Sequence, residues 1–282
     1  SKYFSYRYFL VSASRTKLLF QERRKSKNEV ITHFKNILNK KVKITKEYKK
    51  RKYLLYFIRE LAADLYLLKL ARERHYNKHK EGEKDIKTAE DVEFPYIYVI
   101  IDFKKQIILI QKKTSTFNNV STSYNVLQNI INSNVDFGQY IFTIDEISHK
   151  ELFWQLVEKS KKIYSLKLRL RAPNLFGGRF EANDFLKEEQ RKYNVAEIDV
   201  EYKNEHGELI VDQENMDSYI NYISAGGGSY RLRFKADGEI KIKGSKDNIK
   251  TTYLAKEISD YNIAQIKAEL EKIDNLVEQN EK

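Results

Sequence analysis

The chain has 282 residues, 41% hydrophobic and 33% charged, with a net charge of +12. That is apolar material enough for one large domain or two of ordinary size, and it excludes disorder through want of a core. No apolar run reaches the ~18 residues of a membrane span. The absence of cysteine excludes disulfides, thiolate metal sites and a cysteine nucleophile, and it fits a cytoplasmic protein.

The charge is unevenly placed. Residues 1–84 hold 24 Lys+Arg against 8 Asp+Glu, and the remainder 28 against 32. All the excess positive charge therefore belongs to the N-terminal third, which points to a basic face and a polyanionic partner.

In chain order, residues 3–20 alternate polar and apolar side chains as one or two strands do, so a signal peptide is not expected there. QERRKSKNE reads as a basic loop. Val30, Ile31, Phe34, Ile37 and Leu38 mark a short amphipathic helix, and KKVKITKEYKKRK a basic segment with strand character. From Tyr53 to about His75, Leu54, Ile58, Leu61, Leu65 and Leu68 fall on one helical face, widened by Tyr56, Phe57, Tyr66 and Leu67. This predicts a long helix buried between layers. HYNKHKEGEKDIKTAEDVE reads as a charged surface linker. YIYVIIDF and QIILIQKK, flanking Lys104-Lys105, predict a hairpin of buried strands, and a Ser/Thr/Asn loop leads into a helix near Tyr124–Ile131.

A domain boundary is placed near residue 135. Beyond it, FGQYIFTID reads as a strand. KELFWQLVEKSKK reads as a helix with Leu152, Phe153, Leu156 and Val157 inward, and SLKLRLR as a strand of strict period two. NDFLKEEQRKY is a helix capped by Asn183, and AEIDVEYK a further strand. MDSYINYIS is a helix ending at Gly226-Gly227-Gly228. SYRLRFKADGEIKIKG is a hairpin turning at Asp237-Gly238, and the last helix carries a 3-4 stripe of Ile263, Ile266, Leu270, Ile273 and Val277. The fold class is α+β: a mixed strand and helix domain over 1–135 with the long buried helix, then a β-α-β-α-β, ferredoxin-like domain over 136–282 that closes with a hairpin and a helix.

Four groups of residues carry candidate chemistry. Asp102, with Gln111 and Lys113 on the next strand, matches the outline of a metal-dependent nuclease core. There the carboxylate holds Mg²⁺ or Mn²⁺ and the lysine orients water or stabilises phosphate charge. Gln is a poor metal ligand, an upstream acid such as Glu93 would have to complete the set, and a turn plus strand-end charges accounts for the same residues. His75 and His79, four apart on the expected helix, could share a metal, but Tyr76 stands where the catalytic zinc motif has Glu; no metal site or cofactor is expected. The Ser224–Ser229 glycine run follows a helix and precedes a strand, the reverse of a dinucleotide loop, so it reads as a helix stop and a flexible turn. The fourth group is basic and interleaved with aromatics: Arg23, Arg24, Lys25 and Lys27, then Lys40, Lys41, Lys43, Lys46, Lys49, Lys50, Arg51 and Lys52. The last eight fall within thirteen residues with one acid, Glu47. Cations at that density suit phosphate contact by counterion release, and exposed tyrosines can stack on bases. No helix-turn-helix, zinc finger or RNP-like motif is present to read sequence.

The segments FPYIYVIIDFKKQIILIQKK, KELFWQL, RAPNLFGG and NEHGELIVDQENMDSYINYISAGGGSYRLR resemble uncharacterised bacterial proteins of about this length from phage-defence gene clusters. The shared features are the Asp102 hairpin, the Phe153-Trp154 helix start, Pro173-Asn174 after a strand, and the glycine bend before the last hairpin. The resemblance implies a setting, defence against foreign DNA, and a second protein component; it transfers no functional residue. The expectation is a protein that binds DNA or RNA mainly through the phosphate backbone, with no membrane association and a protein partner or a second copy on the last helix. The alternatives are a nuclease acting through Asp102 and Lys113, and a protein-binding regulator or inhibitor that never touches nucleic acid.

Overall fold

The computed structural model describes residues 1–12, 26–40, 43–48, 51–81, 85–171 and 181–278. Among them the chain is mixed α and β, with six α-helices and fourteen strands. The strands are β1 (Lys2–Ser12), β2 (Lys43–Tyr48), β3 (Arg51–Ala62), β4 (Leu65–Arg72), β5 (Arg74–Glu81), β6 (Ile86–Glu93), β7 (Tyr96–Asp102), β8 (Ile107–Gln111), β9 (Tyr140–Glu146), β10 (Lys162–Arg171), β11 (Glu197–Lys203), β12 (Gly228–Ala236), β13 (Glu239–Gly244) and β14 (Thr251–Tyr253). The helices are α1 (Lys27–Lys40), α2 (Val120–Asn134), α3 (Lys150–Lys159), α4 (Glu181–Tyr193), α5 (Gln213–Tyr222) and α6 (Ile263–Glu278).

The large sheet runs β14-β1-β8-β7-β4-β3-β2, and β9 also pairs with β1. One edge of β1 thus carries β14 against residues 2–4 and β9 against residues 6–12. Strands on both sides of residue 135 share this sheet. Its two faces bury separate sets of side chains, because neighbours along a strand point oppositely. Tyr6, Tyr8 and Leu10 face one way, into a core closed by Val30, Phe34 and Leu38 of α1 and Val126, Leu127, Ile130 and Ile131 of α2. Tyr3 faces the other way, with Leu67, Ile100 and Leu109, beneath Ile266, Leu270 and Ile273 of α6. Ile263, Ile266, Leu270 and Ile273 of the stripe on the last helix are therefore covered by their own chain.

The long helix expected over Tyr53–His75 is a hairpin of β3 and β4, turning at Ala63-Asp64 with Asp64 in the left-handed region (φ 65°). β4 lies between β3 and β7 and is covered on both faces, so Leu65 to Leu68 are buried in succession, which a helix apolar all round would also show. Register shifts between Phe57 and Arg59 and between Glu60 and Ala62 break the alternation of β3. The charged linker expected from His75 onward is also a hairpin, β5 with β6, nearly all exposed. With no apolar face it has no period-two signal; Arg74–Glu93 (3.1 Å), His75–Glu90 (2.9 Å) and Lys78–Asp91 (3.7 Å) link its strands.

The smaller sheet runs β11-β10-β12-β13, antiparallel at every pairing. The β-α-β-α-β run of the sequence does not share it, since β9 has gone to the large sheet. Leu166, Leu168, Leu170, Leu232 and Phe234 meet Phe153 and Trp154 of α3, Leu186 of α4 and Ile220 of α5. In α3 it is Trp154 rather than Leu152 that turns inward: Leu152 is 37% exposed, and Trp154 donates from Nε1 to Asp217 (3.1 Å). Asn183 lies inside α4 rather than before it. Asp237 and Gly238 (φ 52° and 83°) make the expected tight turn of the β12–β13 hairpin.

The glycine run is a buried bend. A π turn over Ile223–Gly227 continues α5 into β12. Gly226 has φ 94°, and a Cβ there would stand 2.6 Å from that of Arg7; Gly228 has φ 147°, and its Cβ would meet the Arg169 carbonyl oxygen. Arg7 itself is 1% exposed. Its Nε donates to the Ala225 carbonyl (2.7 Å), Nη1 to the Lys105 carbonyl (2.7 Å) and Nη2 to Asp274 of α6 (3.3 Å). A buried charge is tolerated only when its donors are matched in this way. The sheets meet at a second polar junction, where Arg171 Nε donates to the buried Asp145 (2.8 Å). Beside Asp145, Glu146 is 7% exposed, and burial first, then the Asp145 charge, push its carboxyl up from the ordinary 4.5 to about 7.

Two outcomes are expected. Arg7→Met leaves two carbonyls unmatched and Asp274 with Lys105 alone, and should lower stability by about 2–4 kcal/mol in urea unfolding. The folded chain holds the Glu146 proton more tightly than the unfolded one, so that stabilisation is complete below pH 4.5 and gone above about 7. Across that interval the wild type should lose on the order of 3 kcal/mol relative to Glu146→Gln, read from urea midpoints as a function of pH.

Candidate nucleic-acid interface

Strand alternation decides where each cation of the basic N-terminal third goes. In β2, Lys43 and Lys46 stand three apart and point to opposite faces, as do the neighbours Arg51 and Lys52 of β3. On the face that α6 covers further along, the register sets Lys43 opposite Tyr56, Tyr56 opposite Lys69, and Lys69 opposite Tyr98. One row across four strands thus alternates lysine and tyrosine. Tyr96 lies in the next row, opposite Ala71. Lys69 Nζ stands 4.1 Å from the Tyr96 ring centre and 5.3 Å from that of Tyr98, and Lys113 Nζ 5.3 Å from Tyr96. Tyr96 and Tyr98 pack edge to face at 5.6 Å. Tyr56 and Tyr96 are half-buried, so part of each ring remains accessible.

The guanidiniums of Arg51 and Arg72 belong to the opposite face, where Arg72 lies across from the buried Tyr53. Burial first, then the charges of Arg74 and Arg51, hold Arg72 below its ordinary value; like charges share one field here. Arg74 is matched by Glu93 (3.1 Å) and the Ser115 carbonyl. Lys43, Arg51, Lys52, Lys69, Arg72 and Lys113 make no ion pair with a carboxylate among the described residues. The acid nearest by register is Glu47, opposite Lys52.

Of the residues singled out in the sequence, Arg23, Arg24, Lys25, Lys41, Lys49 and Lys50 lie outside the described residues. Lys27 and Lys40 sit at opposite ends of α1; Lys27 Nζ is 6.0 Å from the Tyr140 ring, and burial lowers its pKa. Lys43 and Lys52 belong to the cluster described above, and Arg51 lies on the opposite face. Lys69, Tyr56 and Tyr96 escaped notice because they read as parts of a buried helix and a buried hairpin. A lysine interrupting the run Leu65–Ala71, facing a Tyr-Ile-Tyr strand, was the available signal.

Asp102, Gln111 and Lys113 are not brought together. Asp102 pairs with Ile107 beside the turn, while Gln111 lies four residues further along β8, about 13 Å away. Asp102 Oδ1 accepts from the Lys105 amide (2.8 Å), and burial raises its carboxyl. Gln111 Oε1 accepts from the Tyr98 amide (3.0 Å). His75 and His79 are separated similarly along β5, and each faces its own cross-strand partner, Glu90 or Thr88. Among the described residues no group of three or more His, Asp or Glu is placed to hold a metal ion, and no helix is long and apolar enough to cross a membrane.

No protein-family model matches the chain, and no curated protein matches it in sequence.

Proposed function

We propose that this chain binds nucleic acid, without base specificity, at the β2–β3–β4–β7 end of the large sheet. One observation carries the reading: Lys43, Lys52, Lys69 and Lys113, from separate segments of the chain, share one face at the sheet end with half-exposed tyrosines and make no ion pair with a carboxylate among the described residues. Like charges held together are stabilised by a polyanion, which releases its counterions on binding. Lys43, Lys52, Lys69 and Lys113 supply phosphate contacts, and Tyr56 and Tyr96 offer ring faces to unpaired bases. The lysine and tyrosine rows lie on strands rather than on a helix, so a single strand laid across the sheet fits better than a duplex. The resemblance to phage-defence proteins supplies a setting: a docking component for foreign DNA or RNA beside a second protein.

The test is anisotropy of labelled single-stranded oligonucleotides across a salt series. The triple substitution Lys52→Ala, Lys69→Ala, Lys113→Ala should weaken binding and lower the slope of log K against log salt by about 2. Tyr96→Ala should weaken binding to single strands by about 1–3 kcal/mol and to duplex by less. Substituting Lys187 and Lys192 on α4 should change neither quantity. Unchanged affinity and slope in the triple variant would refute the assignment.

A further inference from the structure

A cleft of about 740 Å³ opens between β9 with α2 on one side and the outer face of β10, β12 and β13 on the other. Its volume lies in the range of small-ligand sites, but its wall is polar where most such sites are apolar. Six cations line it. Three are already matched: Lys167 to Asp199 (2.6 Å), Arg169 to Glu197 (3.1 Å) and Arg171 to Asp145 (2.8 Å). The other three, Arg231 of β12, Lys243 of β13 and Lys246 of the turn that follows, are exposed and make no ion pair among the described residues. Asp247, an acid nearby, is occupied in accepting from the Gly244 amide (2.8 Å).

The opposite wall is different in kind. There the 7%-exposed carboxyl of Glu146 lines the cleft beside Tyr124 and Gln128. Gln128 Oε1 accepts from the Ile144 amide (2.8 Å), so its amide nitrogen is left as the donor toward the cleft. A ligand that satisfies both walls carries an anion at one end and hydrogen-bonding groups at the other. A fully anionic ligand would meet Glu146 with like charge, and a neutral one would leave the three cations unmatched.

We infer that the cleft binds a nucleoside monophosphate, its phosphate on Arg231, Lys243 and Lys246 and the polar edge of its base against Glu146 and Gln128. Burial keeps the Glu146 carboxyl near half-protonation at neutral pH, so it can either donate to a base or accept from one. The site is separate from the sheet end that carries the proposed nucleic-acid contacts and shares no residue with it. The same phosphate chemistry could come from a free nucleotide or from the 5′ end of a strand; the commitment is to the free nucleotide.

Isothermal titration of the full chain with AMP, GMP, CMP, UMP and inorganic phosphate tests this, alongside a 5′-phosphorylated oligonucleotide and its unphosphorylated twin. At least one mononucleotide should bind in the millimolar range or tighter, and more tightly than inorganic phosphate. Arg231→Ala with Lys243→Ala, both at exposed positions, should weaken it at least about tenfold while leaving oligonucleotide affinity unchanged. Glu146→Gln, confirmed as folded by its melting curve, should reorder the four nucleotides. The inference is overturned if no mononucleotide binds, if inorganic phosphate binds as well as all four, or if the double variant retains full affinity. It is also overturned if only the phosphorylated oligonucleotide responds to the double variant, or if that variant loses unphosphorylated oligonucleotide as well.

Discussion

The guanidinium of Arg7 is the constraint on which this architecture turns. It sits in the middle of β1 with almost no exposure, and its nitrogens meet the glycine bend at Ala225, the β7–β8 turn at Lys105 and α6 at Asp274. These contacts join segments that are 98 to 267 residues from Arg7 in the chain. The bend leads straight into β12, so the same cation that seats α6 on the large sheet also fixes where the smaller sheet begins. Gly226 is required there because a side chain would occupy the space of Arg7. An apolar residue at position 7 would pack but would leave buried carbonyls unmatched, which is the costly failure of a polar junction.

Charge compensation divides the surface into two kinds. Around α6, Lys105 meets Glu271 (3.0 Å) and Asp274 (3.1 Å); along β10, Lys167, Arg169 and Arg171 meet the acids of β11 and Asp145. Within the basic third, Arg59 reaches Asp260 and Lys35 reaches Asp64. The cations of the β2–β3–β4 end are not treated this way. Most lysines and arginines among the described residues make no ion pair, so what distinguishes this end is that its lysines alternate with tyrosines across paired strands. The glutamate-and-arginine cleft between the sheets mixes both patterns and reads as a smaller, more selective version of the same chemistry.

The parts of this fold legible in the sequence are those whose signal is local. The β7–β8 hairpin, the Asp237-Gly238 turn and the α1 stripe need only a window of a dozen residues. The β3–β4 hairpin was hidden because a strand covered on both faces loses its alternation, and two bulges erased what remained. The β5–β6 hairpin was hidden because it has no apolar face at all. The candidate site divides in the same way. Its cationic excess is a sum, and sums survive ignorance of the fold; its membership is a matter of register, and Lys69 joins Lys43 and Lys113 only once β2, β3, β4, β7 and β8 are paired. The supposed Asp102–Gln111–Lys113 set fails for the same reason, since pairing across the turn places its ends apart. The burial of Arg7 could not be read at all, because each of its partners lies far off in the chain.

The central claim is that a polyanion lies across the tyrosine and lysine rows at one end of the large sheet. Ultraviolet cross-linking of a bromouridine-bearing single strand, followed by peptide mass spectrometry, locates that contact directly. Adducts should fall on peptides carrying Tyr56 or Tyr96. Adducts confined to α4 or to the β12–β13 hairpin would contradict the account.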